Sequence, residues 1–212
     1  MNDRAKRLKY NTITSIIYQT VTIISGMILP RLILVYFGST INGLVDSITQ
    51  FLTFISLLEL GVGAVVQSAL YKPLADKDDY MIGCIYTSAK KYFNSIGVCL
   101  AIYVLILSFV FPIITNSSFD ATYTAILILA MSASLFSQYF FGITDQLVLM
   151  ADQRGYIYYI AQIIVIALSC AVSVVIIILG GDIQAVKIAT AAVYIIRPFV
   201  IRVYVSRHYS FR

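Results

Sequence analysis

Six long apolar runs, separated by short polar connections, constrain this chain more than any other feature of its sequence. A helix needs about 20 apolar residues to cross the hydrocarbon core of a membrane. On that rule the predicted spans are residues 11–37, 41–70, 92–114, 121–150, 156–180 and 183–201. With 60% hydrophobic and 12% charged residues, the composition excludes an ordinary soluble domain. Residues 1–212 are therefore predicted to form an all-α polytopic membrane protein, a single bundle of six transmembrane helices.

Positively charged residues concentrate on one side of this predicted topology. Twelve of the 15 basic residues fall there: Arg4, Lys6, Arg7, Lys9, Lys72, Lys77, Lys90, Lys91, Arg154, Arg202, Arg207 and Arg212. The connections on the other side, 38–40, 116–120 and 180–182, contain none. Because cytoplasmic loops are enriched in Lys and Arg, both termini are expected in the cytoplasm. The first span is expected to remain in the protein, since its apolar run is too long for a signal peptide.

Several function classes are disfavoured by what the sequence lacks. Cys84, Cys99 and Cys170 occur singly, with neither disulfide nor metal-ligand spacing. The net charge of +5 resides mostly in loops that would face an anionic membrane surface, so no nucleic-acid partner is expected. No extramembrane segment is long enough for a soluble catalytic domain, and no nucleotide-binding loop or nucleophile elbow occurs. We therefore expect no enzymatic activity and no cofactor.

The one sizeable predicted loop covers residues 71–91, on the basic side. Pro73 is expected to help end the second helix. Apolar residues recur at helical spacing within the loop: Met81, Ile82, Ile85 and Ala89. Two interpretations remain open, a helix lying along the membrane interface and a simple extension of the third span.

Ionisable side chains inside the spans are the strongest functional candidates. They are Arg31, Asp46, Glu59, Asp145, Lys187 and Arg197. A charge at such a depth costs about 2.5–3.5 kcal/mol even on the most lenient scale. These side chains should therefore face a cavity or a partner. Lys187 is close enough to the end of its helix to reach the membrane surface, and Glu59 is expected at a close helix crossing beside Gly61 and Gly63.

Polar residues line one side of three predicted spans. At about 100° per residue, those of the second span fall within about 120° of one another: Asn42, Asp46, Gln50, Thr53 and Ser56. The first span shows the same pattern with Asn11, Ser15, Gln19, Thr22 and Gly26, and the fourth span shows it with Ser134, Gln138 and Asp145. The pattern favours a shared, hydrated interior. The alternative is helix packing through small polar residues.

Arg31 and Arg197 have two open interpretations each, contact with a ligand or an internal ion pair. Arg31 lies about 200° from Asn11 on a helical wheel, so it would reach the polar side only through a kink at Pro30. Its internal alternative is a pair with Asp46 at similar depth. For Arg197 the internal partner would be Asp145 or Glu59.

Four stretches of the chain resemble the amino-terminal half of bacterial polysaccharide flippases, the Wzx-type exporters of the multidrug/oligosaccharidyl-lipid/polysaccharide superfamily. They are Ile28-Leu29-Pro30-Arg31-Leu32-Ile33-Leu34 leading to Phe37-Gly38, Leu57 to Gly63, Leu70-Tyr71-Lys72-Pro73-Leu74-Ala75, and Ala151-Asp152-Gln153-Arg154-Gly155-Tyr156. Their order and spacing cover nearly the whole chain.

The resemblance implies translocation of an oligosaccharide, linked through pyrophosphate to a polyprenyl lipid, across the bacterial cytoplasmic membrane for cell-surface polysaccharide synthesis. An anionic, bulky head group suits a hydrated cavity with fixed cations and hydrogen-bonding side chains. The expected substrate-binding residues are Arg31, Asn42, Asp46, Gln50, Gln138, Asp145 and Arg197. Membrane lipids would surround the lipid tail.

Members of that family usually have twelve or more spans in two six-helix lobes, and these 212 residues hold one lobe. Alternating access by rocking lobes needs a second one, supplied by further sequence, another copy or another protein. Two other functions remain open. One is a lobe of a cation-coupled small-molecule antiporter, with Asp46 or Asp145 as the coupling carboxylate, and the other is an assembly subunit that does not transport.

Overall fold

The computed structural model describes residues 3–59, 61–115 and 119–209, and these ranges contain helices and no strand. The helices are α1 (Asp3–Thr53), a 3-10 helix (Phe54–Glu59), α2 (Val62–Asp76), α3 (Asp79–Thr115), α4 (Ala121–Ser137), a π-helical segment (Gln138–Gly142), α5 (Ile143–Ala151), α6 (Gly155–Ile178) and α7 (Ile183–His208). The all-α polytopic prediction is confirmed. Leu60, residues 116–118 of one predicted connection, and Arg212 lie outside the described residues.

Within the residues that the structure describes, five helical stretches are long and apolar enough to cross a membrane, and the first of them is long enough for two crossings. That stretch, Lys6–Glu59, has 54 residues. A straight helix of this length would measure about 80 Å, more than twice the thickness of the hydrocarbon core. The chain reverses at Gly38, which has φ 83° and ψ 172°. Only glycine adopts such a conformation without strain, and the reversal gives six crossings in all.

Contacts along the two halves of α1 follow from this reversal. Before Gly38, the helix packs along α6 from Asn11 onward. After it, Asp46 lies near Lys187 at the start of α7, and Thr49 to Ser56 lie beside Met131 to Tyr139. The backbone remains helical through Pro30, so the kink considered there does not bring Arg31 to the polar side. Helix α1 begins at Asp3, so it extends beyond the predicted first span of residues 11–37.

The predicted loop 71–91 is wrong in extent. Helix α2 runs to Asp76 and α3 begins at Asp79, so only a tight connection remains. Pro73 does not end α2. It is buried in the last turn, where its carbonyl accepts the backbone N–H of Asp78 at 3.0 Å. Packing of this turn offsets the hydrogen bond that a proline cannot donate. Residues 81–89 are part of α3. Their helical spacing therefore reflects an extension of the third span and not a helix along the membrane interface.

The core of the bundle forms where the second, third and fourth crossings meet. Its largest fully buried side chains include Ile48, Phe93, Leu100, Phe111 and Leu127. Many large apolar side chains remain exposed on the outside of the same helices. In a soluble protein such a surface would promote aggregation, whereas in a membrane it faces lipid. The exposed apolar side chains therefore fit a bundle that is surrounded by lipid.

Candidate functional site

The second half of α1 and the 3-10 helix that follows it carry a polar face, which we define as Asn42, Asp46, Gln50 and Thr53 of α1 and Ser56 of the 3-10 helix. Asn42 is half-buried and the other four residues are exposed. Asn42 Nδ2 donates a hydrogen bond to Asp46 Oδ2 at 3.0 Å, one helical turn away. The opposite side of this helix is buried against the core through Leu44, Val45, Ile48 and Leu52. The helix is thus anchored by its apolar side and presents the polar face outward.

A cavity of about 260 Å³ lies where the polar face meets α4. Thr53 and Ser56 line it from the second crossing, and Ser134 and Tyr139 line it from the fourth. Beside it, the Tyr139 hydroxyl donates to Glu59 Oε2 at 3.1 Å. The structure therefore brings together the polar residues of the second and fourth spans, as far as Ser134. Glu59 is held by a tyrosine rather than by an arginine.

The polar residues of the first span do not join this cavity. Asn11 is engaged with the turn between α5 and α6: its Nδ2 donates to the Gln153 carbonyl at 2.9 Å, and its Oδ1 accepts the Tyr156 N–H at 2.7 Å. Gln19 and Thr22 are exposed farther along the helix. The Asn11 bonds fix the start of α1 on α6 and are structural.

Arg197 begins a chain of hydrogen-bonded polar side chains inside the bundle. Its guanidinium donates to Gln138 Oε1, and Gln138 Nε2 donates to Gln146 Oε1 at 3.0 Å. The guanidinium also lies 5.9 Å from the centre of the Tyr158 ring. Arg197 Nε is buried without a hydrogen-bond partner. Arg197 is thus held by amides and an aromatic face, and neither Asp145 nor Glu59 forms an ion pair with it among the described residues.

Asp145 occupies a separate buried position. Its side chain is 2% exposed and accepts a hydrogen bond of 2.7 Å from the Tyr86 hydroxyl of α3. The charges of Arg202 and Lys90 lie close enough to act on it. The π-helical segment between Gln138 and Gly142 explains why Asp145 and Ser134 do not share one face. A π-turn holds more residues than an α-turn, so every side chain after it is rotated relative to a regular wheel.

Arg31 is the predicted site residue that the structure separates most clearly from the others. It is exposed, and within residues 3–59, 61–115 and 119–209 it has no hydrogen-bond or ion-pair partner. The considered pair with Asp46 is not formed, since Asp46 is bonded to Asn42. Of the seven expected residues, Asn42, Asp46 and Gln50 share the polar face, Gln138 and Arg197 form a second group, and Asp145 and Arg31 stand apart.

Sequence reasoning missed a polar cluster at the end of the bundle where α1 begins and α7 ends. We call it the Asp152 cluster: Arg7, Asp152, Arg154, Tyr204 and Tyr209. Arg154 Nε lies 2.8 Å from Asp152 Oδ2, and Arg7 Nη1 lies 3.6 Å from Asp152 Oδ1. The Tyr209 hydroxyl donates to Asp152 Oδ2 at 2.6 Å, and Arg154 Nη1 donates to the Tyr204 hydroxyl at 3.4 Å. One carboxylate thereby contacts α1, the connection between α5 and α6, and the residue that follows α7.

Protonation in the Asp152 cluster follows from these contacts. Burial, together with the hydrogen bond to the Asp152 carboxylate, raises the pKa of Tyr209 well above its usual range. Burial alone would lower the pKa of Arg154, but Tyr209, Tyr204 and Asp152 outweigh it and raise that pKa. Tyr209 therefore remains a neutral donor and Arg154 a cation at physiological pH. The sequence carries one signal of this cluster, the opposite charges of Asp152 and Arg154 two positions apart in a short connection.

Within the described ranges, no group of three or more His, Cys, Asp or Glu residues is placed to hold a metal ion. The polar groups that the bundle offers are amides, hydroxyls and isolated charges. These are suited to hydrogen bonding and to charge recognition.

Comparisons of the chain with family models, with curated proteins and with solved structures find no match.

Proposed function

We propose that this chain is one lobe of a transporter that moves a polyprenyl-pyrophosphate-linked oligosaccharide across the cytoplasmic membrane. The observation that carries the proposal is the exposed polar face of α1, on a helix of membrane-spanning length whose other side is buried. Asp46 and Gln50 in contact with lipid would be unfavourable by several kcal/mol, about 2.5 or more for the charge alone. The face therefore needs water or a protein partner.

A second six-helix lobe facing this surface would enclose a hydrated cavity. In transporters built from two such halves, the substrate site lies between them near the middle of the membrane. Asn42, Gln50 and Thr53 supply hydrogen-bonding groups suited to sugar hydroxyls. Gln138 is not part of this set, because its side chain is hydrogen-bonded to Arg197 and Gln146. The resemblance of the four sequence stretches supports an oligosaccharide as cargo, and the excess of Lys and Arg at one end of the bundle supports cytoplasmic termini.

A lobe of a cation-coupled antiporter is the second candidate, and the position of Asp46 favours it. This carboxylate is exposed on the polar face and close to the charge of Lys187. Asp145 is a poorer coupling group, because it is buried and bonded to Tyr86. The variant Asp46→Asn distinguishes the two functions. An antiporter would lose its cation dependence, whereas a flippase that recognises sugars would keep most of its rate.

Transport is expected to depend on the uncharged part of the polar face. Gln50→Leu should lower the rate about tenfold, because the side chain loses the hydrogen bonds that it can offer to a polar cargo. Thr53→Val should lower it by a smaller factor. The rate is measured in vesicles containing the protein and a fluorescent polyprenyl-pyrophosphate oligosaccharide, as the fraction that becomes protected from an added glycosidase.

The matched control is Thr20→Val. Thr20 is exposed on α1, bonds to a backbone carbonyl one turn back as Thr53 does, and lies off the polar face. Its replacement should leave transport unchanged. Equal rates for wild type, Gln50→Leu and Thr53→Val would contradict the proposal, as would movement of a small cation but not of the lipid-linked oligosaccharide. Failure of all variants alike, with normal abundance and no transport by the wild type, would favour the assembly subunit.

A further inference from the structure

A hollow, almost entirely apolar groove runs between α1 and α6 on the outside of the bundle. Its volume is about 500 Å³. Val21, Ile24 and Ile28 line it from α1, and Ala167, Ala171 and Val175 line it from α6. Small side chains in the lining, Ser25 on α1 and Ala167, Cys170 and Ala171 on α6, leave space between the two helices. In a membrane, such a groove is filled by a hydrocarbon chain.

Arg31 lies just beyond the α1 residues that line this groove. At about 100° per residue, Arg31 lies about 20° from Ile24 and about 60° from Ile28 around the helix axis, and about 80° from Val21 and about 120° from Ser25. It follows Ile28 by three residues, or about 4.5 Å along the axis. The polar face of the first span, by contrast, is on the opposite side. An exposed cation is therefore aligned with an apolar groove and not with the polar residues of its own helix.

The depth of Arg31 is fixed by α6. The two helices run in the same direction, since Asn11 contacts Gln153 near their starts and Ile28 lies beside the 174–175 region in the groove. Three or four residues farther on, Arg31 is level with the last turn of α6, which ends at Ile178. The connection that follows α6, residues 180–182, contains two glycines and an aspartate, and this polar sequence places the last turn of α6 near the membrane surface. A long arginine side chain at this level reaches the phosphate layer by extending along the helix.

We propose that the groove and Arg31 together bind one anionic phospholipid, with a hydrocarbon chain in the groove and the phosphate on the guanidinium. Arginine suits this role because its planar donors match phosphate oxygens in a bidentate arrangement. The site lies away from the polar face, so it is additional to the cargo pathway and does not rest on the proposed function. It also accounts for Arg31, which has no partner within the described part of the chain.

The test is lipid retention by the purified full chain. Protein in detergent is mixed with phosphatidylglycerol, or with phosphatidylcholine bearing the same acyl chains, and bound lipid is counted by native mass spectrometry. We expect one phosphatidylglycerol to be retained in preference to phosphatidylcholine. Arg31→Gln should lower that retention about tenfold by removing the charge-assisted hydrogen bonds to phosphate. Ala171→Phe should lower it by a similar factor by filling the groove.

Two controls match these variants. Arg207→Gln removes an exposed arginine at the opposite end of the bundle, and Ala192→Phe enlarges an exposed alanine on α7. Both should retain lipid as the wild type does. The site is overturned if Arg31→Gln and Ala171→Phe behave like their controls. Equal retention of the two lipids would overturn the role of Arg31. Displacement of phosphatidylglycerol by equimolar polyprenyl phosphate would assign the groove to a different lipid.

Discussion

Replacement of Asp152 by alanine is expected to destabilise the bundle by about 2 kcal/mol, one of the two largest effects predicted for a single residue of this chain. The change removes the carboxylate that pairs with Arg154 and Arg7 and accepts the Tyr209 hydroxyl, while Arg7 keeps its 3.3 Å hydrogen bond to the backbone carbonyl of residue 152. Arg154 would be left without its ionic partner, and its side chain is 25% exposed. The cost is below that of a fully buried pair because solvent still screens the cluster.

The measurement is the apparent melting temperature of the purified chain in detergent, which should fall by several degrees in Asp152→Ala. Asp76→Ala is the control, because Asp76 is an exposed aspartate at the end of α2, on the same side of the bundle. It should have almost no effect. A double-mutant cycle of Asp152→Asn with Arg154→Gln should give a coupling energy of about 1 kcal/mol or more. Additive effects of the two changes would show that the ionic contact contributes nothing.

Gly142→Leu is expected to cost about 3 kcal/mol by overpacking the crossing of the fourth and sixth spans. A Cβ atom at Gly142 would lie 2.8 Å from Gln138 Oε1 and 3.2 Å from Cβ and Cγ of Pro198. The proline ring has no alternative rotamer that clears the space. Displacing Gln138 would also break its hydrogen bond with Arg197. The variant should be recovered in low yield and lose its structure at lower temperature in detergent.

Gly43→Leu is the matched control, since a Cβ there meets no atom within 4 Å and the residue is likewise helical. Leucine is the better helix former, so this variant should be at least as stable as the wild type. A comparable loss in both variants would show that close packing at Gly142 does not account for the effect. Removing the obstruction with Gly142→Leu combined with Pro198→Ala should recover part of the loss.

The number and order of the crossings could be read from the sequence, because hydropathy over some 20 residues reports directly on burial in lipid. The length of each helix could not be read from the sequence. Helix α2 ends at Asp76 and α3 begins at Asp79 with only two residues between them, although the polar sequence between 71 and 91 suggested a loop. Charged residues continue a helix readily once it leaves the membrane, so polarity marks the membrane boundary and not the end of the helix.

The polar face of α1 was also predictable, because α-helical periodicity is local and holds within one regular helix. Contacts between spans were not predictable in the same way. The regular wheel placed Ser134 and Asp145 on one side, but the π-helical segment after Ser137 rotates everything beyond it. For Arg31 the helical wheel held. It placed this residue away from the polar side, and the backbone remains helical through Pro30.

The Asp152 cluster also has a consequence for synthesis of the chain. Arg7 and Asp152 are separated by 145 positions in the sequence, and Tyr209 is a further 57 beyond Asp152. The first helix therefore leaves the ribosome long before its ionic partner exists, and the last donor follows only after five more crossings have been inserted. Until then Arg7 remains hydrated at the membrane surface. Formation of the cluster is a late event in biogenesis that joins the earliest and latest segments of the bundle.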